Sequence, residues 1–218
     1  MTDRPILFSA PMVKALLSGT KTQTRRIIKL PTKKEYVRPD MGGWEATTVG
    51  GEGCFYANGY AAPEKVAIWN QTTGTCVVIP YQIGDRLYVR ETWATIKGYP
   101  RVIAYRADGC IAHTDLKNNR WRPSIHMPRW ASRLTLEVTD VRVERVQDIS
   151  EEDARAEGVG PLRHDGRMHN GLPASDGFAD LWDSINEKRG YGWRKNPWVS
   201  VVSFKVHKIN IDAMEKAE

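Results

Sequence analysis

Two runs of alternating apolar residues, far apart in the chain, constrain the fold most. Leu134, Leu136 and Val138 repeat with the period of a strand, and so do Trp198, Ser200, Val202, Phe204 and Val206. After Val138 the apolar positions move to Val141 and Val143, so the phase slips at Thr139-Asp140. Such a slip marks a bulge or bend, the device by which a small sheet curls on itself. Shorter β-type runs lie at Thr22–Ile28, Cys76–Ile79, Arg86–Trp93 and Arg101–Arg106. In Arg86–Trp93, Leu87, Val89 and Glu91 share one face, and Tyr88, Arg90 and Thr92 the other. Many short strands with two or three helices predict an α+β fold built round a small β-barrel.

The helices announce themselves by their ends. Ser9 and Pro11 suit a first turn, Met12, Val13, Leu16 and Leu17 form an apolar stripe, and Gly19 suits the left-handed stop. Ser150-Glu151-Glu152-Asp153 opens a second, short helix with a pattern like a capping box. Phe178, Leu181, Trp182 and Ile185 stand at helical spacing and predict a third helix that faces the core. Between about 31 and 75, glycines break every period while aromatics are scattered among them. We read this as a large loop or hairpin insertion that covers a pocket, since long loops in compact domains are commonly lids or binding loops.

At 218 residues, one domain over 1–209 with a polar, fraying tail at 210–218 is expected. No apolar run approaches the ~20 residues that span a bilayer, and the N-terminus lacks a signal-peptide pattern. Cys54, Cys76 and Cys110 form neither a disulfide framework nor a zinc pattern, so a reduced, cytoplasmic setting with each cysteine buried as a small hydrophobe is expected. The five histidines show no ligand spacing, and neither metal nor cofactor is implied. Charge is uneven: seven basic and no acidic residues lie in Lys14–Lys34, and five basic and no acidic residues in Leu116–Leu136. Basic stretches of this kind can present a positive groove to a polyanion.

Ser18-Gly19-Thr20-Lys21-Thr22-Gln23-Thr24-Arg25-Arg26 concentrates the chemistry. Lys21 and Thr24 offer an amine and a hydroxyl, the minimum parts of an activated nucleophile, and Arg25 and Arg26 offer planar forks for phosphate. In a straight strand Lys21 and Thr24 would point to opposite faces, so they meet only if the chain bends. This segment, the later Ile83-Gly84-Asp85-Arg86-Leu87-Tyr88-Val89, the strand-like run from Leu134 to Val146 followed by Ile149–Gly158, and a final strand at Trp198–Val206 resemble the ASCH family. That family is a branch of the PUA-like β-barrels. The resemblance covers less than half of the chain and is nearest to the longer ASCH proteins of phages and prophages.

The resemblance implies a protein that binds a nucleoside, a nucleotide or RNA, without a membrane partner. Some ASCH proteins are amidohydrolases that remove an acyl group from the N4 amine of cytidine with a lysine, a threonine and a glutamate. These match Lys21, Thr24 and, within Ile149–Glu157, Glu157. Thr24 would be the nucleophile, Lys21 the base and Glu157 the acid; alternatively Glu157 activates water while Lys21 and Thr24 bind the carbonyl oxygen. Glu91 is the rival carboxylate, because a charge on the inner face of its strand needs a partner such as Lys21 or an arginine. For the substrate, Arg25, Arg26, Arg129, Trp93 and Trp130 are candidates, since aromatic stacking with arginine holds unpaired bases. A non-catalytic RNA-binding module and an ASCH-type ribonuclease are the alternatives.

Overall fold

The computed structural model describes residues 2–31, 43–96, 99–109, 120–159 and 173–214. Along the chain these form β1 (Asp3–Leu7), α1 (Ala10–Ser18), β2 (Gln23–Ile27), β3 (Trp44–Val49), β4 (Lys65–Asn70) and β5 (Cys76–Val78). Then come β6 (Arg86–Arg90), β7 (Trp93–Ile96), β8 (Tyr99–Tyr105) and β9 (Thr135–Arg145). The chain closes with α2 (Glu151–Ala156), α3 (Ala174–Asn186), β10 (Trp198–His207) and the single turn α4 (Ile211–Met214). The class is mixed α+β, as expected.

The central sheet has the order β1-β6-β9-β10-β2, with β1 parallel to β6 and the other pairs antiparallel. The phase slip read from the sequence is a bulge. Ser203 faces Asp140 and Phe204 faces Val138, which leaves Thr139 as the extra residue. β1 and β2 are the sheet's edges, and no ladder joins them among the described residues. The sheet curls nonetheless, because Arg26 on β2 reaches across to donate from Nη2 to the Leu7 carbonyl on β1 at 2.8 Å. Its concave side holds the main core, with Val13 and Leu16 of α1 against Leu87, Val89, Leu136, Val138, Val202 and Phe204. Burying each such side chain contributes about 1.5–3 kcal/mol.

The segment read as a loop or hairpin is a three-stranded antiparallel sheet, β3-β4-β5. It takes in Cys76–Val78, so the sheet runs past 75; residues 32–42 lie outside the described residues. Ile68 and Ile79 enter the main core, so this sheet covers hydrophobic side chains rather than the cavity described below. Its strands pair with their neighbours in sequence, β3 with β4 across residues 50–64 and β4 with β5 across 71–75, a pattern that scattered glycines obscured. Cys54 and Cys76 are exposed, not buried, the first in the connection between β3 and β4 and the second on the outer strand β5; Cys110 lies outside the described residues.

The tail does not fray where it begins. Asn210 donates to the carbonyls of Arg129 at 3.0 Å and Ser132 at 2.6 Å, and Ile211 is fully buried. One apolar residue and one amide with three nearby carbonyls outweigh the polarity of the rest.

Candidate functional site

The site begins at the end of α1. Gly19 takes φ +77° and donates its N–H to the Leu16 carbonyl at 3.1 Å, which stops the helix. The chain then turns, and Lys21 pairs with Glu157 in an isolated antiparallel bridge, with Thr22 N–H donating to the Ala156 carbonyl at 2.8 Å. Glu157 is the C-cap of α2, whose start is capped by Ser150 Oγ accepting from Asp153 N–H, as the sequence pattern predicts. Gly158 follows with φ +81°, and a Cβ there would stand 3.0 Å from Ala15 Cβ and 3.1 Å from Lys21 Cβ. Gly158→Ala is therefore expected to lower unfolding free energy by about 1–3 kcal/mol, seen as a lower urea midpoint at unchanged slope.

This bridge brings Lys21 and Glu157 together side chain to side chain. Lys21 is 1% exposed and Glu157 6%. Lys21 Nζ donates to Glu157 Oε2 at 2.6 Å and to the Glu157 carbonyl at 2.8 Å. Burial pulls the Lys21 ammonium below its ordinary pKa. The Glu157 carboxylate opposes that shift, and Arg26 and Arg25 add to it. Lys21 lies before β2 and Thr24 within it, so the strand alternation does not govern their relative placement.

Thr24 and Glu157 line one cavity of about 210 Å³. Thr24 is itself nearly buried, and among the described residues no hydrogen bond engages its hydroxyl. The cavity runs along the open edge of β2 and under α3, with Phe178, Leu181, Trp182 and Ile185 of that helix in its wall. The helical stripe thus serves two purposes: Phe178 and Trp182 pack in a second hydrophobic cluster and the same stripe walls the site. At the edge itself, Phe204 N–H bonds the Thr22 carbonyl and Ile28 N–H the Trp198 carbonyl. That register leaves the backbone groups of Gln23, Arg25 and Ile27 directed away from β10.

Arg25 does not offer a free fork. Its side chain is fully buried, and it donates to Gln23 Oε1 at 2.7 Å, Glu144 Oε1 at 2.6 Å, Asp153 Oδ2 at 2.8 Å and Glu157 Oε1 at 3.3 Å. Arg142 extends this network to Asp140, Glu144 and Asp153. Burial of Asp153 acts against ionisation, but hydrogen bonds from Arg25 and Gln23 and the charge of Arg142 hold its carboxyl below the ordinary value. Arg25 therefore orients Glu157 rather than meeting a ligand. Both arginines line the cavity, but Arg26 is half-buried, makes no ion pair among the described residues, and its guanidinium stands 5.0 Å from the Phe8 ring.

The other candidates lie elsewhere. Glu91 is 1% exposed and does meet an arginine, but it is Arg133, through Nε at 2.9 Å and Nη2 at 3.1 Å, and it does not line the cavity. Burial pushes the Glu91 carboxyl above its ordinary value, against the pull of Arg133. A carboxyl raised in the folded state costs stability as pH climbs past its unfolded value of about 4.5. Arg133→Met would leave this charge without its bidentate partner. We expect about 2–3 kcal/mol of lost stability at pH 7, shrinking as pH falls toward 5, read from urea midpoints at both pH values. Trp93 is buried against Met127 and Ala131, with its ring 6.4 Å from that of the exposed Trp130. Arg129 pairs with Asp3 at 2.6 Å and Asp212 at 2.6 Å. None of Trp93, Trp130 and Arg129 contributes to the cavity lining.

Lys29, Asn186, Arg189 and Tyr191 line the cavity and carried no signal in the sequence beyond Lys29's place in the basic stretch. Among the described residues no group of three or more His, Cys, Asp or Glu is arranged to hold a metal ion, and no helix is long and apolar enough to cross a membrane. In comparisons with known proteins, no family model, no curated protein and no solved structure matches this chain.

Proposed function

We propose that the protein is a nucleoside-binding amidohydrolase of the ASCH type that removes an acyl group from the N4 amine of an N4-acylcytidine. The curled sheet, with β1 and β2 tied by Arg26, is read as a PUA-like barrel left open at that seam. The observation that carries the proposal is the buried Lys21–Glu157 pair, whose Glu157 member lines a cavity that Thr24 also lines. A polar unit this deep is costly unless its geometry and hydrogen bonds are complete, and such groups gather where a proton must be moved.

In this reading Thr24 Oγ attacks the acyl carbonyl carbon and loses its proton to the Lys21–Glu157 pair. The carbon–nitrogen bond then breaks, and the pair returns the proton to the departing exocyclic amine. Water cleaves the acyl-threonine through the same pair and regenerates the hydroxyl. Among the described residues Lys21 Nζ donates only to Glu157, so Glu157, which lines the cavity, is the member that exchanges the proton. Arg25 keeps the carboxylate oriented. Phe178 and Trp182 supply the apolar wall against which a pyrimidine packs.

The test is release of cytidine from N4-acetylcytidine by the purified protein, followed by chromatography. Turnover supports the reading, and its absence at high enzyme concentration sinks it. A second reading, nucleic-acid binding without amide chemistry, draws on a different place. Arg122 stands 5.0 Å from the Trp93 ring, beside Trp130, which is 57% exposed. Exposed aromatics with arginine suit unpaired bases. That reading expects steeply salt-dependent RNA binding that Thr24→Ala leaves in place.

A further inference from the structure

The cavity's charges do not balance. Arg26, Lys29 and Arg189 line it, and among the described residues none of them makes an ion pair. The acid in the lining is Glu157, which Lys21 and Arg25 already hold. Arg26 donates Nη2 to the Leu7 carbonyl, while its buried Nε has no partner. Arg189 is exposed and donates Nη1 to Asn186 Oδ1 at 3.3 Å, a weak neutral acceptor. Lys29 is exposed as well. Three cations that share a small cavity repel one another, and the apolar wall beside them lowers the screening that water would provide. A ligand carrying negative charge removes that repulsion. The exposure of Lys29 and Arg189 sets the charge at the solvent end, and the buried Phe178 and Trp182 set the apolar wall further in.

Building on the nucleoside reading of this site, we propose that its ligand is a nucleoside 5′-monophosphate, with the base in the apolar part and the phosphate held by Lys29 and Arg189, backed by Arg26. A phosphomonoester carries up to two charges and three acceptor oxygens, which suits a fork and a point charge approaching from different elements. The neutral nucleoside leaves those cations unmatched.

The experiment is calorimetric titration of wild type and of Lys29→Gln/Arg189→Gln with CMP and with cytidine, at low and moderate salt. CMP is expected to bind at least about tenfold more tightly than cytidine to wild type at low salt, with the ratio falling as salt rises. The double variant should bring the ratio to within about twofold, and Lys29→Glu alone should depress it further. Both positions are exposed, and thermal melts of the variants report any loss of fold. Equal binding of CMP and cytidine to wild type overturns the phosphate assignment and leaves the nucleoside reading standing. Preference for CMP without hydrolysis of N4-acetylcytidine 5′-monophosphate keeps the assignment and removes the amide chemistry. Tighter binding of a short oligocytidylate lacking terminal phosphate than of CMP also overturns it, in favour of RNA.

Discussion

Lys21→Met is expected to lower the free energy of unfolding by about 3–5 kcal/mol, one of the largest losses a single substitution can cause in this chain. Lys21 is among the most deeply buried side chains, and its Nζ makes both of its hydrogen bonds to Glu157. Methionine keeps the volume but leaves the Glu157 carboxylate buried with Arg25 at 3.3 Å as its remaining side-chain partner. The loss is the cost of that stranded charge rather than the net worth of the pair. Lys21→Met/Glu157→Leu should accordingly recover most of it, and urea denaturation of the four proteins of this cycle measures the coupling. Single substitutions whose losses simply add would show that the pair is not a unit.

The same pair has an alkaline signature. The Lys21 pKa is lowered in the folded state from an unfolded value of 10.5. Between the lowered value and 10.5 the unfolded chain binds the proton that the folded chain does not, so this group's contribution to stability rises with pH across that window. Below the lowered value its penalty is present in full. Lys21→Met should remove this component, so that the difference in stability between variant and wild type widens as pH approaches 10.5.

Thr24→Ala should lower kcat/KM on N4-acetylcytidine by on the order of 10⁴-fold, with kcat carrying the loss, since the hydroxyl acts on the reacting carbon. Stability should change by no more than about 1 kcal/mol, because no hydrogen bond to the Thr24 hydroxyl is broken among the described residues. Thr24→Ser should keep most of the activity, and Thr24→Val should lose it while preserving shape. Glu157→Gln is the informative companion. Activity that survives Thr24→Ala but not Glu157→Gln would replace the acyl-threonine with direct attack of water activated by Glu157.

Much of the scaffold is legible because its signals are local. The slip at Thr139-Asp140, the cap at Ser150 and the stripe on α3 each arise from bonds or periods spanning a few residues. Of the outer sheet β3-β4-β5, the sequence shows a loop or hairpin insertion and the β run at Cys76, but not the individual strands β3 and β4, because they are short and their connections rich in glycine, which hides alternation. Lys21, Thr24 and Glu157 came forward as a set through resemblance, not spacing, since 136 positions separate Lys21 from Glu157.

The amino-acid sequence by itself determined where helices stop, where the long strand bulges and which faces are apolar, because these follow from neighbours along the chain. Only the tertiary structure decided which charges remain available. Arg25 and Arg26 are adjacent, chemically identical and both in the cavity lining, yet the fold pairs one with Glu144, Asp153 and Glu157 and gives the other no ion pair among the described residues. Glu91 and Glu157 are both buried carboxylates, yet one meets Arg133 and the other Lys21. The partner of a buried charge is set by what the fold packs against it, and that information is spread over residues far apart in the chain.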